Sequence, residues 1–550
     1  MFYPKILTTL KNYSMEQFFK DVISGIIVAI IALPLSIALA IASGVPPERG
    51  LYTAIVAGFI ISLLGGSRVQ IGGPTGAFMV IVYGVVMKYG IDGLIVATMM
   101  AGVISILMGL FKLGGVIKFI PYPIVTGFTS GIAVIIFSSQ LNDFFGLNIA
   151  GLPGDFLGKW SIYLESLHLI DFKTMVVGLV ALLVLIVWPK ISKKIPGAII
   201  AIIVSVLWVK IFNWDITTIG SKFGDLPRML PMPSVPNVSF ELIKVLLPSA
   251  FTIALLGAVE SLLSAVVADG MIGGRHRSNT ELMAQGIANI GSGLFGGIPA
   301  TGAIARTMAN INNGGRTPVA GIVHALTLLL MMVLLMPLAQ MIPLSALAAI
   351  LIVVAYNMSE WRGFIAFRRA PKSDLAILLV TFLLTVFVDL IKAIEIGMVL
   401  SAFLFMKRMA DVSQFKMHGS EDEEDDYEIM VDENQKYLVP ENVQVYEING
   451  PFFFGAADQF VEHLINLRSN TNVLILRMRH VSAMDATALH AFKTMLKMCE
   501  KKEISVYITG LNQQPYEVIK KSNLLNASQE EHLFNLFEEA LLEVRKYKKI

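Results

Sequence analysis

Between Val22 and Met406 the sequence is a succession of apolar stretches, near 22–42, 51–65, 92–111, 121–141, 174–189, 196–212, 246–269, 281–296, 317–341, 343–357, 374–390 and 392–406. Two shorter ones follow Gly-Pro motifs and bring the total to roughly fourteen. About 20 apolar residues cross the hydrocarbon core of a bilayer, where every backbone polar group must be satisfied inside a helix. A chain written this way folds in lipid. The first stretch follows Lys5, Lys11 and Lys20 and ends near Ala38-Leu39-Ala40, the outline of a secretory signal; its length, Pro34 and its many successors make it a spanning helix instead.

Charge divides the chain at residue 410. Residues 1–410 hold 28 Lys+Arg and 18 Asp+Glu, a net +10, whereas residues 411–550 hold 15 and 23, a net −8. Two solvents follow, lipid first and water second. This excludes a conventional cytosolic enzyme, and the acidity of the charged tail argues against nucleic acid as a partner. Cys499 is the single cysteine, so no disulfide framework or cysteine metal site is available. No catalytic triad, nucleotide loop or metal cluster is apparent, and neither an enzyme activity nor a cofactor is expected.

Lys and Arg in short loops mark the cytoplasmic side. With both termini inside, the inner loops receive Arg68, Lys112, Lys118, Lys190, Lys193, Lys194, Arg275, Arg277, Arg316, Arg362, Arg368, Arg369 and Lys372. The outer basic residues, Lys159 among them, sit mostly in two long connections, 142–173 and 213–243.

The chain also echoes itself. Gly72-Gly73-Pro74-Thr75-Gly76-Ala77 and Gly296-Gly297-Ile298-Pro299-Ala300-Thr301-Gly302-Ala303 each precede a short apolar run, Ile120-Pro121 matches Ile342-Pro343, and Pro34 matches Pro248. Seven segments per half invert the second copy, the arrangement common in secondary transporters. Chance recurrence of Gly-Pro loops is the alternative. The run from Gly76 to Met87 is about 18 Å long as a helix, half the hydrocarbon core, so it must start inside the membrane. Its first N–H groups and positive dipole end make an anion site, and the segment opening at Thr301-Gly302 is its mate. Thr75, Gly76, Ala77, Gly302, Ala303 and Ile304 are therefore candidate substrate contacts, against the plainer reading that these glycines only turn the chain.

Two charged residues fall deep in apolar segments, Glu260 and Arg306, and charge in lipid is functional by default. Arg306 would attract an anion; Glu260 would repel it unless protonated, which suggests proton coupling. Ser264, one turn after Glu260, could hold that carboxylate or touch the ligand. A static Glu260–Arg306 ion pair is the alternative. Asp269, Asp389 and Glu395 belong to segment ends, and His324 to helix packing.

After the acidic run 421–426, strands at 443–448, 472–478 and 505–509 alternate with helices at 458–467, 486–499 and 532–544, a small α/β domain. The domains read as 1–21 cytoplasmic segment, 22–410 transport domain, 411–436 acidic linker and 437–550 soluble module.

The run Leu33-Pro34-Leu35-Ser36-Ile37-Ala38-Leu39-Ala40, the Gly-Gly-Pro-Thr-Gly-Ala motif, Glu260-Ser261-Leu262-Leu263 with Asp269-Gly270, and Ala303-Ile304-Ala305-Arg306 with Asn312-Asn313-Gly314-Gly315-Arg316 resemble the SulP anion permeases, bacterial relatives of solute carrier family 26. The tail resembles their STAS domain, and within the family the chain looks most similar to the bacterial dicarboxylic acid uptake proteins. The resemblance implies a polytopic all-α membrane protein of about 14 segments in a 7+7 inverted repeat, with core and gate domains, forming homodimers in the cell membrane. Termini and STAS domain would be cytoplasmic, with possible STAS-binding partners. It implies transport of a small anion, a dicarboxylate or sulfate, with a proton. Exchange, sodium-coupled bicarbonate transport, and a receptor or scaffold role through the STAS domain are the alternatives. Sodium-coupled members carry Asp at the position of Glu260 and hydroxyl side chains at those of Ser264 and Ile304; Ile304 cannot ligate sodium. Asp485-Ala486-Thr487 resembles the STAS motif whose Ser or Thr is phosphorylated in sigma-factor regulators, placing Thr487 there; a helix cap is the plainer reading.

Overall fold

The structure is a computed structural model describing residues 2–115, 121–149, 151–192, 195–236, 238–388, 390–412, 414–418, 427–432, 435–453, 455, 457, 460–461, 470–525 and 530–547. The chain forms two compact units, Met1–Val399 and Leu400–Ile550.

Helices of nine residues or more are numbered in chain order. They are α1 (Met15–Ala42), α2 (Pro47–Leu64), α3 (Gly76–Leu110), α4 (Tyr122–Phe145), α5 (Phe156–Glu165), α6 (Phe172–Ile191), α7 (Gly197–Ile211) and α8 (Phe240–Ile272). Then come α9 (Ser278–Leu294), α10 (Ile304–Asn312), α11 (Val319–Ala339), α12 (Leu344–Met358), α13 (Lys372–Phe387) and α14 (Leu390–Val412). Each apolar stretch of the sequence has most of its length on one of these helices. Gly90, at φ 68° and ψ −170°, breaks α3 into two of them, a conformation glycine adopts without steric cost. Among the described residues, eight helical stretches are long and apolar enough to cross a bilayer.

The helices sort into two bundles. In one, α9 packs on α3 and α2, α11 on α1 and α2, and α8 on α3 and α10; in the other, α4 packs on α12 and α13, and α6 on α7 and α12. Small residues let the first bundle close tightly, as membrane helices require where lipid supplies no hydrophobic drive between them. A Cβ added to Gly102 of α3 would lie 2.6 Å from the Gly286 carbonyl oxygen, and one added to Gly286 of α9 would lie 2.5 Å from that of Gly102. Backbone thus meets backbone at this crossing. Gly286→Ala is expected to destabilise by about 1–3 kcal/mol, the usual range for overpacking. Gly270→Ala, a helical site with nothing within 4 Å of the added carbon, is the control free of overpacking in the same thermal melt.

Sequence reading found two charges deep in the apolar segments; the fold buries more. Asp21 and Glu281 are both 0% exposed although each lies at a segment start. Asp21 accepts from Tyr13, Gln17, the Arg316 and Thr317 amides and the Thr317 hydroxyl. Glu281 accepts from the Gly66 and Ser67 amides and Gln285. Both are interior clamps on loops, a role set by tertiary contacts that segment position does not reveal.

The second unit holds a five-stranded sheet in the order β3-β6-β7-β8-β9. Its strands are β3 (Gln414–His418), β6 (Val443–Asn449), β7 (Val473–His480), β8 (Ser505–Thr509) and β9 (Leu533–Phe534); β4 (Tyr427–Asp432) and β5 (Gln435–Val439) form a separate hairpin. β6 to β9 run parallel and β3 joins antiparallel at the edge. Helices α15 (Ala486–Lys501), α16 (Gln513–Lys521) and α17 (Phe537–Tyr547) complete it. Alternate strand residues face opposite ways. Tyr446, Leu474 and Leu476 pack with Phe492 and Met495 on one face, and Val445, Ile475 and Tyr507 with Phe537 and Leu541 on the other. Buried Cys499 belongs to the first face, and burial pushes its thiol up to about 11.

Three expectations change here. Strand structure starts at Gln414, so residues 411–436 are not linker throughout; the acidic run 421–426 lies outside the described residues. The expected helix 532–544 is preceded by β9, which pairs with Ile508 and Thr509, and starts only at Phe537. Helix α16 was not anticipated, since its polar opening Gln513-Gln514 carries no apolar period. Most of the expected helix 458–467 lies outside the described residues.

Candidate functional site

The two echoed motifs meet. Gly72 pairs with Gly302 and Gly73 with Thr301 as a short antiparallel ladder, β1 (Gly72–Gly73) with β2 (Thr301–Gly302). Each strand runs directly into a helix, α3 from Gly76 and α10 from Ile304. The pair is pinned from all sides. Ala303 N donates to the Ile71 carbonyl at 2.9 Å. The Ile71 amide donates to Thr307 Oγ1 at 3.1 Å, Asn310 Nδ2 to the Val69 carbonyl at 2.8 Å and Thr301 Oγ1 to the Gly257 carbonyl at 2.8 Å.

Neither helix start is capped by a side chain. Thr75 and Ala303 sit at the N-cap positions in extended conformations, and neither side chain accepts a hydrogen bond from the first turn. Thr75 Oγ1 instead donates to Glu260 Oε2 at 2.8 Å. Amides at the two starts thus keep the positive end of a helix dipole uncapped by side chains.

Arg306 lies between them, 1% exposed. Its Nη2 donates to the Pro74 carbonyl of the opposite motif, while Nε and Nη1 have no hydrogen-bond partner among the described residues. A Cβ at Gly73, whose φ is 154°, would come within 2.3 Å of Nη1, so the guanidinium lies where only glycine leaves room. Buried unpaired donors of a cation are costly, and an incoming anion is the chemistry that satisfies them. Among the described residues no ion pair within 4 Å joins Arg306 to Glu260, so the alternative of a static salt bridge is not the arrangement seen.

The remaining candidates divide. Gly76 and Ala77 are buried, with the Gly76 α-carbon facing Met358 and Ile136 of the second bundle. Ile304 is 38% exposed and Ala305 is exposed, which gives the mouth an apolar side. Ser264 does not hold the Glu260 carboxylate. It is 1% exposed, and its Oγ engages Thr307 Oγ1 at 3.3 Å, because α10 packs against that face of α8. Sequence reasoning missed Thr307, Gln70 and the Pro74 carbonyl. Gln70 Nε2 donates to the Ser261 carbonyl at 3.1 Å, and a Cβ on Gly302 would overlap it at 1.4 Å. No periodicity marks such groups, although Thr307 stands next to Arg306 in sequence. His324 is fully buried with both ring nitrogens unpartnered. In the soluble unit Asp485 caps α15 by accepting from the Ala488 amide at 2.8 Å; Thr487 is exposed inside the first turn and does not cap.

Residues 18–381 match the sulfate permease family and residues 435–540 the STAS domain. YvdB of Bacillus subtilis (strain 168), a provisionally named sulfate transporter, is 41% identical over 531 residues, 96% of this chain and 98% of YvdB. The bicarbonate transporter BicA of Picosynechococcus is 32% identical over 546 residues, 95% of this chain and 94% of BicA. The transmembrane domain of a cyanobacterial BicA is similar in structure, with a TM-score of 0.63 and 31% identity over 69% of this chain and 98% of that one. Murine Slc26a9, solved inward-facing, shares the fold at a TM-score of 0.88 and 19% identity, covering 98% of this chain and 94% of its own. A match over most of the chain, together with the paired half-helices, shows that this protein belongs to the sulfate permease family, as a membrane anion transporter with a C-terminal STAS domain.

Proposed function

We propose that the protein is a secondary active importer that carries a small dianion, sulfate or a short dicarboxylate such as fumarate or succinate, together with a proton. One observation carries this reading: a buried guanidinium with two free donors stands between two helix starts that have no side-chain caps. The anion is held by backbone amides near Gly76 and Ile304 and by Arg306. Glu260, tied to the same site through Thr75, takes up the proton that lets a second negative charge approach. Sodium coupling finds less support, because Ser264 is engaged by Thr307 and Ile304 offers no oxygen. Exposed Ile304 and Ala305 favour a substrate with a short carbon chain beside its charge.

Alternating access follows from the two bundles, the first carrying the site past the second. The protein works as a homodimer in the cell membrane with both termini and the STAS domain on the cytoplasmic side, where that domain is free to bind partners; Asp485 there serves as a cap. Relatives named for sulfate and bicarbonate define the test. Proteoliposomes are given sulfate, bicarbonate, chloride, fumarate and succinate at two pH values. Uptake of sulfate or a dicarboxylate is expected to rise with an inward proton gradient, and equal uptake with and without it rejects the coupling.

A further inference from the structure

A cavity of about 820 Å³ opens between the two bundles, away from Glu260 and Arg306. Its walls include the ends of α1 and α4, the first part of α3, and α5. Lys159 on α5 lines it. The residue is 8% exposed, its Nζ lies 5.1 Å from the centre of the Tyr83 ring, and it has no hydrogen bond or ion pair from its ammonium among the described residues. Both carboxylates of the cavity are otherwise engaged: Asp143 is bridged to Lys222 at 3.3 Å, and Asp155 caps α5 by accepting from the Gly158 amide at 2.7 Å. Tyr163, one turn after Lys159, is 3% exposed, and its hydroxyl is buried with no partner among the described residues.

A lysine only 8% exposed, with no ion pair at its ammonium among the described residues, favours a counter-charge. Among the described residues none lies at contact distance, and the cation faces an open volume instead. Cation–π contact with Tyr83 offsets part of the desolvation but leaves the hydrogen-bonding capacity of Nζ unused. Burial lowers the Lys159 pKa, partly opposed by Asp155, and pushes the Tyr163 phenol up to about 12, which keeps it an O–H donor. The far end of the cavity reaches Met79 and Val80, one turn past Gly76, and Ser249 of α8. It therefore runs toward the half-helix site.

We propose that this cavity is a second anion site, an outer antechamber in which Lys159 Nζ and the Tyr163 hydroxyl hold a sulfate or carboxylate before it moves on to the half-helices. The assignment rests on the transport reading above and on connection 142–173 facing outward. Negative charge is concentrated beside Lys159 from dilute solution, as charge-lined clefts do. The antechamber acts on capture and leaves turnover to Arg306 and Glu260.

The test compares uptake of radiolabelled sulfate, fumarate and bicarbonate, run in parallel, by intact cells and by inside-out vesicles. Lys159→Gln is expected to raise KM from the outer face about tenfold, the worth of one charge-assisted hydrogen bond, with the maximal rate unchanged. Lys159→Arg keeps KM within about twofold, because it retains a cation with hydrogen-bond donors. From the inner face Lys159→Gln has the wild-type KM. An unchanged outer KM, an equal rise on both faces, or a fall in maximal rate at constant KM overturns the antechamber and leaves the half-helix reading intact. Arg306→Ala tests that other reading separately; wild-type uptake there sinks the half-helix site whatever Lys159 does.

Discussion

Arg306→Ala is expected to abolish anion uptake while the protein stays folded. The guanidinium makes one hydrogen bond to the structure, to the Pro74 carbonyl, and keeps Nε and Nη1 free. Truncation therefore costs stability only about the 1–3 kcal/mol of one unsatisfied buried carbonyl. Binding loses far more, about 2–5 kcal/mol for one partner of a buried charge pair, or roughly thirtyfold to several thousandfold in affinity. Arg306→Lys keeps the charge without the fork of donors and should recover only part of the uptake. The measurement is initial uptake against anion concentration, with gel filtration and thermal melting as checks on folding. Full-rate transport by a folded Arg306→Ala protein would place the anion elsewhere.

The second large effect concerns coupling. A proton-anion symporter with one proton per transported charge cycle accumulates substrate about tenfold per unit of pH gradient, since one pH unit is 1.36 kcal/mol. Glu260→Gln is expected to bring that ratio down to about one, with exchange of labelled for unlabelled anion preserved. The fold tolerates the change, because a Gln amide oxygen still accepts from Thr75 Oγ1 in the geometry that holds the carboxylate. Steady-state accumulation in proteoliposomes at several imposed gradients reads the result. Accumulation by Glu260→Gln that still tracks the gradient removes this residue from the proton path.

The half-helices were legible because three local signals coincide at them: glycines that permit close approach, prolines that end regular structure, and runs too short to span a bilayer. Arg306 and Glu260 stood out against an apolar background. What stayed hidden is what folding brings together across the chain. Thr75 and Glu260 are 185 positions apart, and Arg306 meets Pro74 across 232. Asp21 and Glu281 read as ordinary end residues because a carboxylate at a segment boundary looks the same whether it faces water or a loop amide. Lys159 reads as outer-loop charge for the same reason; only the packing of α5 shows that the residue is 8% exposed and lines the cavity. Helical spacing puts Ser264 one turn from Glu260, yet the hydroxyl of Ser264 engages Thr307 of α10 while Glu260 engages Thr75.

The ladder between β1 and β2 bears on thermodynamics. Gly72 to Gly302 and Gly73 to Thr301 tie the starts of the two half-helices into one jaw. In the alternating access proposed above, a jaw that keeps its aperture while the first bundle carries it past the second offers the ion the same intrinsic dissociation constant on either side of the membrane. Such a carrier has no built-in direction. Under the secondary transport proposed above it would run forward or backward as the gradients dictate, and a cell that stops energising its membrane would lose through this protein what it had gathered.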